Sequence, residues 1–520
     1  MPGSRVARSL DESAAQVTDR LGADHSAQAR CTLRHGHPDV RFPGQPRRCR
    51  APRTEAMLPL HVRGRPGRHR RPGGPPGGAM TVPFSLRSAA GRAGRLVGVA
   101  VRAAVLVAAC AARLGPGTGG SGGGSPRAAE ATIPDSFSPV VVTPISDPTF
   151  PWKGSDGRYH VAYDLQLTNA SRLPATLTTV DVVDAAHPDT VIASITGSQL
   201  VDPDCSYGDC NRLRQLPSSD APDTALPPGG SRALLVDLVF DSRADVPRTV
   251  AHRLSLTGAA APPAAEPTPI SYLAAPFDIT SGVPRIVAPP LRGDNWVAFN
   301  GCCGTGWPHR PSLSTFSGRL DNSQRFAIDW IRLDEQGRVY DGDRTDNESY
   351  VSYGEDVYAV ADGTVTSTLD TVEAGTPGTL PANDPVLAPK ITIENVDGNN
   401  IIIDLGGGVW AMYAHLQQGS LLVQPGDHVR KGQKLAALGN TGNSNAPHLH
   451  FQLMNGPSIL QADGLPYVID GFTYDGQVLP EVVAAADDYL SGTFLGGAVP
   501  ERRPATEALP LGLALIGFPE

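Results

Sequence analysis

Pro447-His448-Leu449-His450-Phe451, read with Tyr413-Ala414-His415-Leu416 about thirty residues earlier, decides the fold of this chain. Between the two lie Gly426-Asp427-His428-Val429-Arg430-Lys431-Gly432-Gln433 and Gly439-Asn440-Thr441-Gly442-Asn443-Ser444. Side chains alternate along a strand, so His448 and His450 share one face. Two imidazoles so placed suit one zinc ion and a neighbouring base. Asp362-Gly363, Asp397-Gly398 and Pro425-Gly426-Asp427 mark turns around them. Helical periodicity is weak, and residues 286–490 read as a domain of antiparallel strands.

Upstream, residues 133–257 read as short alternating strands separated by turn residues, the pattern of an immunoglobulin-like β-sandwich. Tyr159, Val161, Tyr163, Leu165 and Leu167 would line one face of such a strand, with His160, Ala162, Asp164 and Gln166 on the other. No polar cluster there carries chemistry, and His160, His187 and His252 read as packing or surface residues. The expected fold class is therefore all-β, a sandwich followed by a second β domain. Residues 258–285, rich in Ala and Pro, read as a linker, and residues 491–520, rich in Pro and Gly, as a loose tail.

The front of the chain has another character. Residues 1–79 hold fifteen arginines and no lysine, although the whole chain of 520 residues has a net charge of −8. They lack a hydrophobic period, so they read as disordered rather than as a nucleic-acid-binding segment, and as the product of an overcalled start. At Met80 a signal peptide begins, with Arg87, Arg92 and Arg95 before the apolar run Leu96 to Ala112. Val107-Ala108-Ala109-Cys110 resembles a lipobox, which would anchor Cys110 in a membrane through lipid. A Gly/Ser tether closes the 80–132 segment. Export implies an oxidising compartment. There Cys205 and Cys210 would form a local disulfide. The vicinal Cys302-Cys303 pair reads as a disulfide, two thiols or metal ligands.

The segment Tyr413 to Phe451 resembles the lysostaphin/LytM-type zinc endopeptidases, which join a Tyr-x-His-Leu strand, a Gly-Asp-x-Val-x-x-Gly-Gln turn, a Gly-Asn-Thr-Gly turn and a His-x-His strand. Gly354 to Val365 resembles the upstream part of the same domain. The resemblance implies a zinc ligand at His450 and another at Asp329, within Arg325-Phe326-Ala327-Ile328-Asp329-Trp330. It makes His415 and His448 the non-ligand catalytic histidines. It also implies a ligand histidine four residues before Asp329, where this chain has Arg325, a side chain that stays protonated and cannot ligate. His309, twenty residues before Asp329, is the nearest upstream histidine and the candidate third ligand. Gln324 and Asp321 are weaker substitutes. With His309 in place, the resemblance implies an exported zinc metalloendopeptidase acting on peptidoglycan peptides outside the cytoplasm. Without it, the alternative is a degenerate domain that binds wall peptides or regulates a partner amidase.

Overall fold

The computed structural model describes residues 135–145, 150–205, 209–279 and 281–520. The expected signal peptide, lipobox and arginine-rich front lie outside the described residues. Among the described residues no helix is long and apolar enough to cross a membrane.

The first part of the chain folds as two antiparallel sheets. One runs in the order Val140–Pro144, Tyr159–Asn169, Ser231–Phe240, Leu213–Gln215, Ser219–Asp220, with Trp152–Lys153 also paired to Tyr159–Asn169. The other runs Thr268–Asp278, Thr249–Gly258, Ala175–Asp184, His187–Thr196. Val161, Tyr163, Leu165 and Leu167 pool with Val180, Val182, Leu254 and Leu256 in one core, as the alternation predicts. The alternate face is not left to water. Asp164 is fully buried, and Ala162 and Trp152 belong to the core of the C-terminal domain, where Trp152 meets Phe326 edge to face at 5.9 Å. The strand Tyr159–Asn169 is thus buried on both sides, whereas an antiparallel strand commonly keeps one side wet.

Two expected boundaries differ. The sandwich does not end at residue 257, because Thr268–Asp278, inside the expected linker, pairs with Thr249–Gly258. It is an edge strand, where Pro269 and Pro276 are tolerated. The expected loose tail holds two strands, Ala498–Ala505 and Ala514–Phe518. The first also lies at a sheet edge and carries Pro500 and Pro504, which made it read as loop.

The C-terminal domain is built on an eleven-stranded sheet. Its central order is Gly363–Leu369, Asn399–Asp404, Trp410–Leu416, Leu449–Met454, Ile328–Arg332, Gly293–Phe299, Ala514–Phe518, Phe472–Val478. Three neighbouring strands in this order therefore carry His415, His450 and Asp329. Pairing sets Ala414 opposite His450, and His450 opposite Asp329.

Candidate metal centre

On the Leu449–Met454 strand, Leu449, Phe451 and Leu453 face the apolar core. His450 and Gln452 therefore face the other side, with His448 just before them. On the Ile328–Arg332 strand, Ile328 and Trp330 enter the same core and Asp329 takes the opposite face. Alternation alone thus brings Asp329 and His450 together: Asp329 Oδ1 lies 2.9 Å from His450 Nδ1. His448 Nε2 is 3.4 Å from the same oxygen.

His415 does not follow the alternation. Tyr413, two residues earlier, packs in the core against Phe451, and its hydroxyl accepts from the Val360 amide at 2.9 Å. Tyr413 is a core residue. His415 has φ +61°, a left-handed conformation costing a non-glycine residue about 1–2 kcal/mol. The turn swings its ring to the site face, with centroids 4.7 Å from His448 and 6.0 Å from His450. Strain of this kind gathers where function over-determines the backbone.

His309 comes from the irregular segment before the hairpin Leu313–Phe316 and Arg319–Asn322. It is fully buried, with Nε2 at 3.4 Å from Asp329 Oδ2 and its ring 4.8 Å from that of His450. Donor atoms of His309, Asp329 and His450 all lie within 4.8 Å of one another. Arg325 is directed elsewhere: its guanidinium meets Asp164 at 2.9 Å and Asp463 at 3.7 Å. Asp321 accepts from Arg319 at 3.2 Å.

Each imidazole is oriented by its second nitrogen. A carbonyl oxygen can only accept, so the nitrogen facing it carries the hydrogen. His309 Nδ1 faces the Ala327 carbonyl at 3.1 Å, His415 Nδ1 the Thr441 carbonyl at 2.7 Å, and His448 Nδ1 the Ala446 carbonyl at 2.8 Å. His450 Nε2 lies 3.0 Å from Gln452 Oε1. His309 and His448 so held turn Nε2, and His450 turns Nδ1, toward Asp329, the arrangement common around zinc-binding histidines. Two imidazole nitrogens and one carboxylate are also a zinc donor set, and bonds of about 2.0–2.1 Å in a tetrahedron place donors about 3.4 Å apart. The residues present fit the ion.

Two contributors were not singled out in the sequence. Gln452 stands two residues after His450, so the same period would have found it. Asn300 donates from Nδ2 to Asp329 Oδ2 at 2.7 Å. It follows directly after Phe299, which pairs with Asp329.

Electrostatics follow the packing. Burial alone would raise the Asp329 carboxyl, but attraction from His309 and His448 and hydrogen bonds from His448 and His450 hold it well below the usual carboxylate range. Burial, aided by repulsion from His448 and His450, keeps His415 neutral, its pKa well below that of free imidazole. Beside the site, burial lifts Asp463 to about 6, despite Arg325 and the Asn322 amide that it accepts at 2.9 Å. A carboxyl whose folded pKa exceeds its unfolded value stabilises the fold while protonated. That contribution is lost as pH rises from about 4 to about 6. Asp463→Asn keeps the acceptor for Asn322. It is expected to raise unfolding free energy by up to about 3 kcal/mol at pH 8 and to change little at pH 4, as read from urea unfolding at the two pH values.

Among known proteins, residues 348–461 match the model of peptidase family M23. The match includes His415, His448 and His450 but begins after His309 and Asp329. The peptidoglycan DD-endopeptidase ShyA of Vibrio cholerae is 39% identical over 57 residues, 11% of this chain and 13% of that protein. ShyC, a peptidoglycan DD-endopeptidase of the same organism, is 34% identical over 89 residues, 16% of this chain and 20% of that protein. This chain therefore spans a fifth or less of the length of these relatives. The catalytic domain of lysostaphin from Staphylococcus simulans aligns at 22% identity and TM-score 0.17, covering 29% of this chain and 80% of that one. The His-x-His strand, the Tyr-x-His-Leu strand and the turns between them all lie inside the span, residues 348–461, that matches the model of peptidase family M23.

Proposed function

We propose that this chain is an exported zinc metalloendopeptidase that hydrolyses peptide bonds in peptidoglycan cross-links or stems. The observation that supports it most is the convergence of His309, Asp329 and His450, with each imidazole oriented through its second nitrogen. These three residues would hold zinc. Bound there, zinc would act as a Lewis acid and lower the pKa of a water toward about 7. His415 stands beside that position as a neutral imidazole with His448 next to it, and each presents its Nδ1 to a backbone carbonyl. His415 Nε2 is placed to take a proton from the attacking water. The proton taken up there would be the one returned to the leaving amine, and His448, on the same face, could donate to the oxyanion only with a hydrogen on Nε2 as well as on Nδ1. Buried surroundings strengthen both interactions.

In this reading residues 80–132 direct export, Cys110 offers a lipid anchor, and residues 133–278 form an immunoglobulin-like sandwich. The relatives named as peptidoglycan endopeptidases support a wall substrate. The rival, a domain without hydrolytic power, was motivated by Arg325. Its pairing with Asp164 accounts for that residue without loss of a metal ligand. The test uses the full chain. Purified with zinc, it is expected to hold one ion per molecule and to release peptides from purified cell walls at neutral pH. An intact fold with neither zinc nor released peptide would defeat the proposal.

A further inference from the structure

The loop that carries His309 is held by the other half of the molecule. Arg310, the next residue, is fully buried, and its guanidinium bonds to residues of two sandwich strands, Tyr159–Asn169 and Ser231–Phe240. Nε donates to Asp237 Oδ1 at 3.0 Å, and one terminal nitrogen to Asp164 Oδ1 at 2.6 Å. The other terminal nitrogen donates to the carbonyls of Tyr163 and Val236, at 3.1 and 3.2 Å. The second oxygen of Asp164 accepts from Arg325 Nε at 3.0 Å and from Asn322 Nδ2 at 2.9 Å. Asn322 also donates to the Arg310 carbonyl. Asp237 in addition meets Arg212 at 3.4 Å. On the other side of the loop, the Thr305 hydroxyl bonds to the Cys210 backbone, and Cys302 and Cys303 lie within 4.8 Å of Asp237.

We propose that the sandwich completes the metal centre: Asp164 and Asp237, acting through Arg310, are positioning residues that fix His309 at its coordinating distance from Asp329. This rests on the reading of His309 as a zinc ligand. The physical reason is that a buried guanidinium tolerates no loose arrangement. Its donors must meet acceptors, and its charge must meet carboxylates, or burial is strongly unfavourable. Arg310 therefore has one position, and the backbone fixes His309 beside it. A histidine on a free loop would give up loop entropy each time it coordinated. Here that ordering is complete before the ion arrives. The family's usual ligand position, four residues before Asp329, is meanwhile tied to the same Asp164 through Arg325. One sandwich carboxylate thus anchors both the position that has lost its imidazole and the loop that supplies one.

The test uses full-length chain and two readouts besides activity, zinc affinity by competition with a chromophoric chelator and the visible absorption of the cobalt(II)-substituted protein. Asp237→Asn and Arg310→Gln are expected to weaken zinc binding about 10–100-fold, the usual cost of losing an outer partner of a metal ligand, and to change the cobalt spectrum. Arg310→Lys, which keeps the charge but not the fork, should fall between Arg310→Gln and wild type. Near-UV circular dichroism is expected to stay unchanged in Asp237→Asn. Arg158→Ala, which removes an exposed ion pair with Asp241 on the same unit, should bind zinc as wild type does. Folded Asp237→Asn and Arg310→Gln chains with wild-type affinity and spectrum would overturn the proposal, as would an affinity loss that tracks loss of the folded signal. A wild-type chain that binds no zinc would overturn the metal reading itself, a separate result.

Discussion

Replacing His309 with alanine is expected to strip the chain of zinc and abolish wall hydrolysis, leaving the fold in place. Catalytic zinc keeps three protein ligands, and the two that would remain, Asp329 and His450, do not make a tight site. The affinity loss should exceed the roughly 10–100-fold typical of an outer partner. His450→Ala and Asp329→Asn should behave alike, because all three donors belong to one cluster. His415→Ala separates the roles. Its ring is near the cluster but outside it, so zinc content should stay stoichiometric while turnover falls about 100- to 10,000-fold, as for a lost general base. Metal content by mass spectrometry and peptide release by chromatography give both halves. Full zinc in His309→Ala would refute the ligand assignment, and lost zinc in His415→Ala would refute the separation.

Truncation after residue 490 is expected to be equally severe, through the fold rather than the chemistry. The strand Ala514–Phe518 lies between Gly293–Phe299 and Phe472–Val478, so its removal splits the sheet rather than trimming it. Leu513, Leu515, Ile516 and Phe518 are buried, and Phe518 stacks edge-on to Trp330 at 5.2 Å. Each such side chain contributes about 1.5–3 kcal/mol on burial. Four of them amount to much of the roughly 5–15 kcal/mol by which a domain is stable. Gly293–Phe299 also leads into Asn300, the donor to Asp329, so loss of its neighbour loosens the site. A chain ending at residue 490 should lack a cooperative thermal transition in the C-terminal domain. A sharp transition near the full-length temperature would show the strand to be dispensable.

Much of the site was legible because it follows short-range rules. Period-2 alternation placed His448 and His450 on one face, whereas Asp329 was named through the family resemblance, and the core positions of Ile328 and Trp330 explain why it faces the same site. The sandwich face from Val161 to Leu167 was legible for the same reason. His415 joins the cluster by an unreadable route, since nothing in Tyr-Ala-His-Leu announces a left-handed histidine. His309 was legible only as a histidine near enough to serve. Its placement depends on pairing Arg310 with carboxylates 73 and 146 residues earlier, and charge pairing at such separations leaves no period in a sequence. The two misread edge strands failed through their prolines, which edges accept and centres do not.

The strand buried on both faces also bears on how such a chain can change over generations. Asp164, Asp237, Arg310 and Arg325 form one linked set of charges, so a substitution at one leaves the others with fewer partners. Changes among them are coupled. Recombination that joined this peptidase half to a foreign front half would carry the arginines away from their carboxylates. What reads along the chain as two modules with a seam between them is, for inheritance, a single piece.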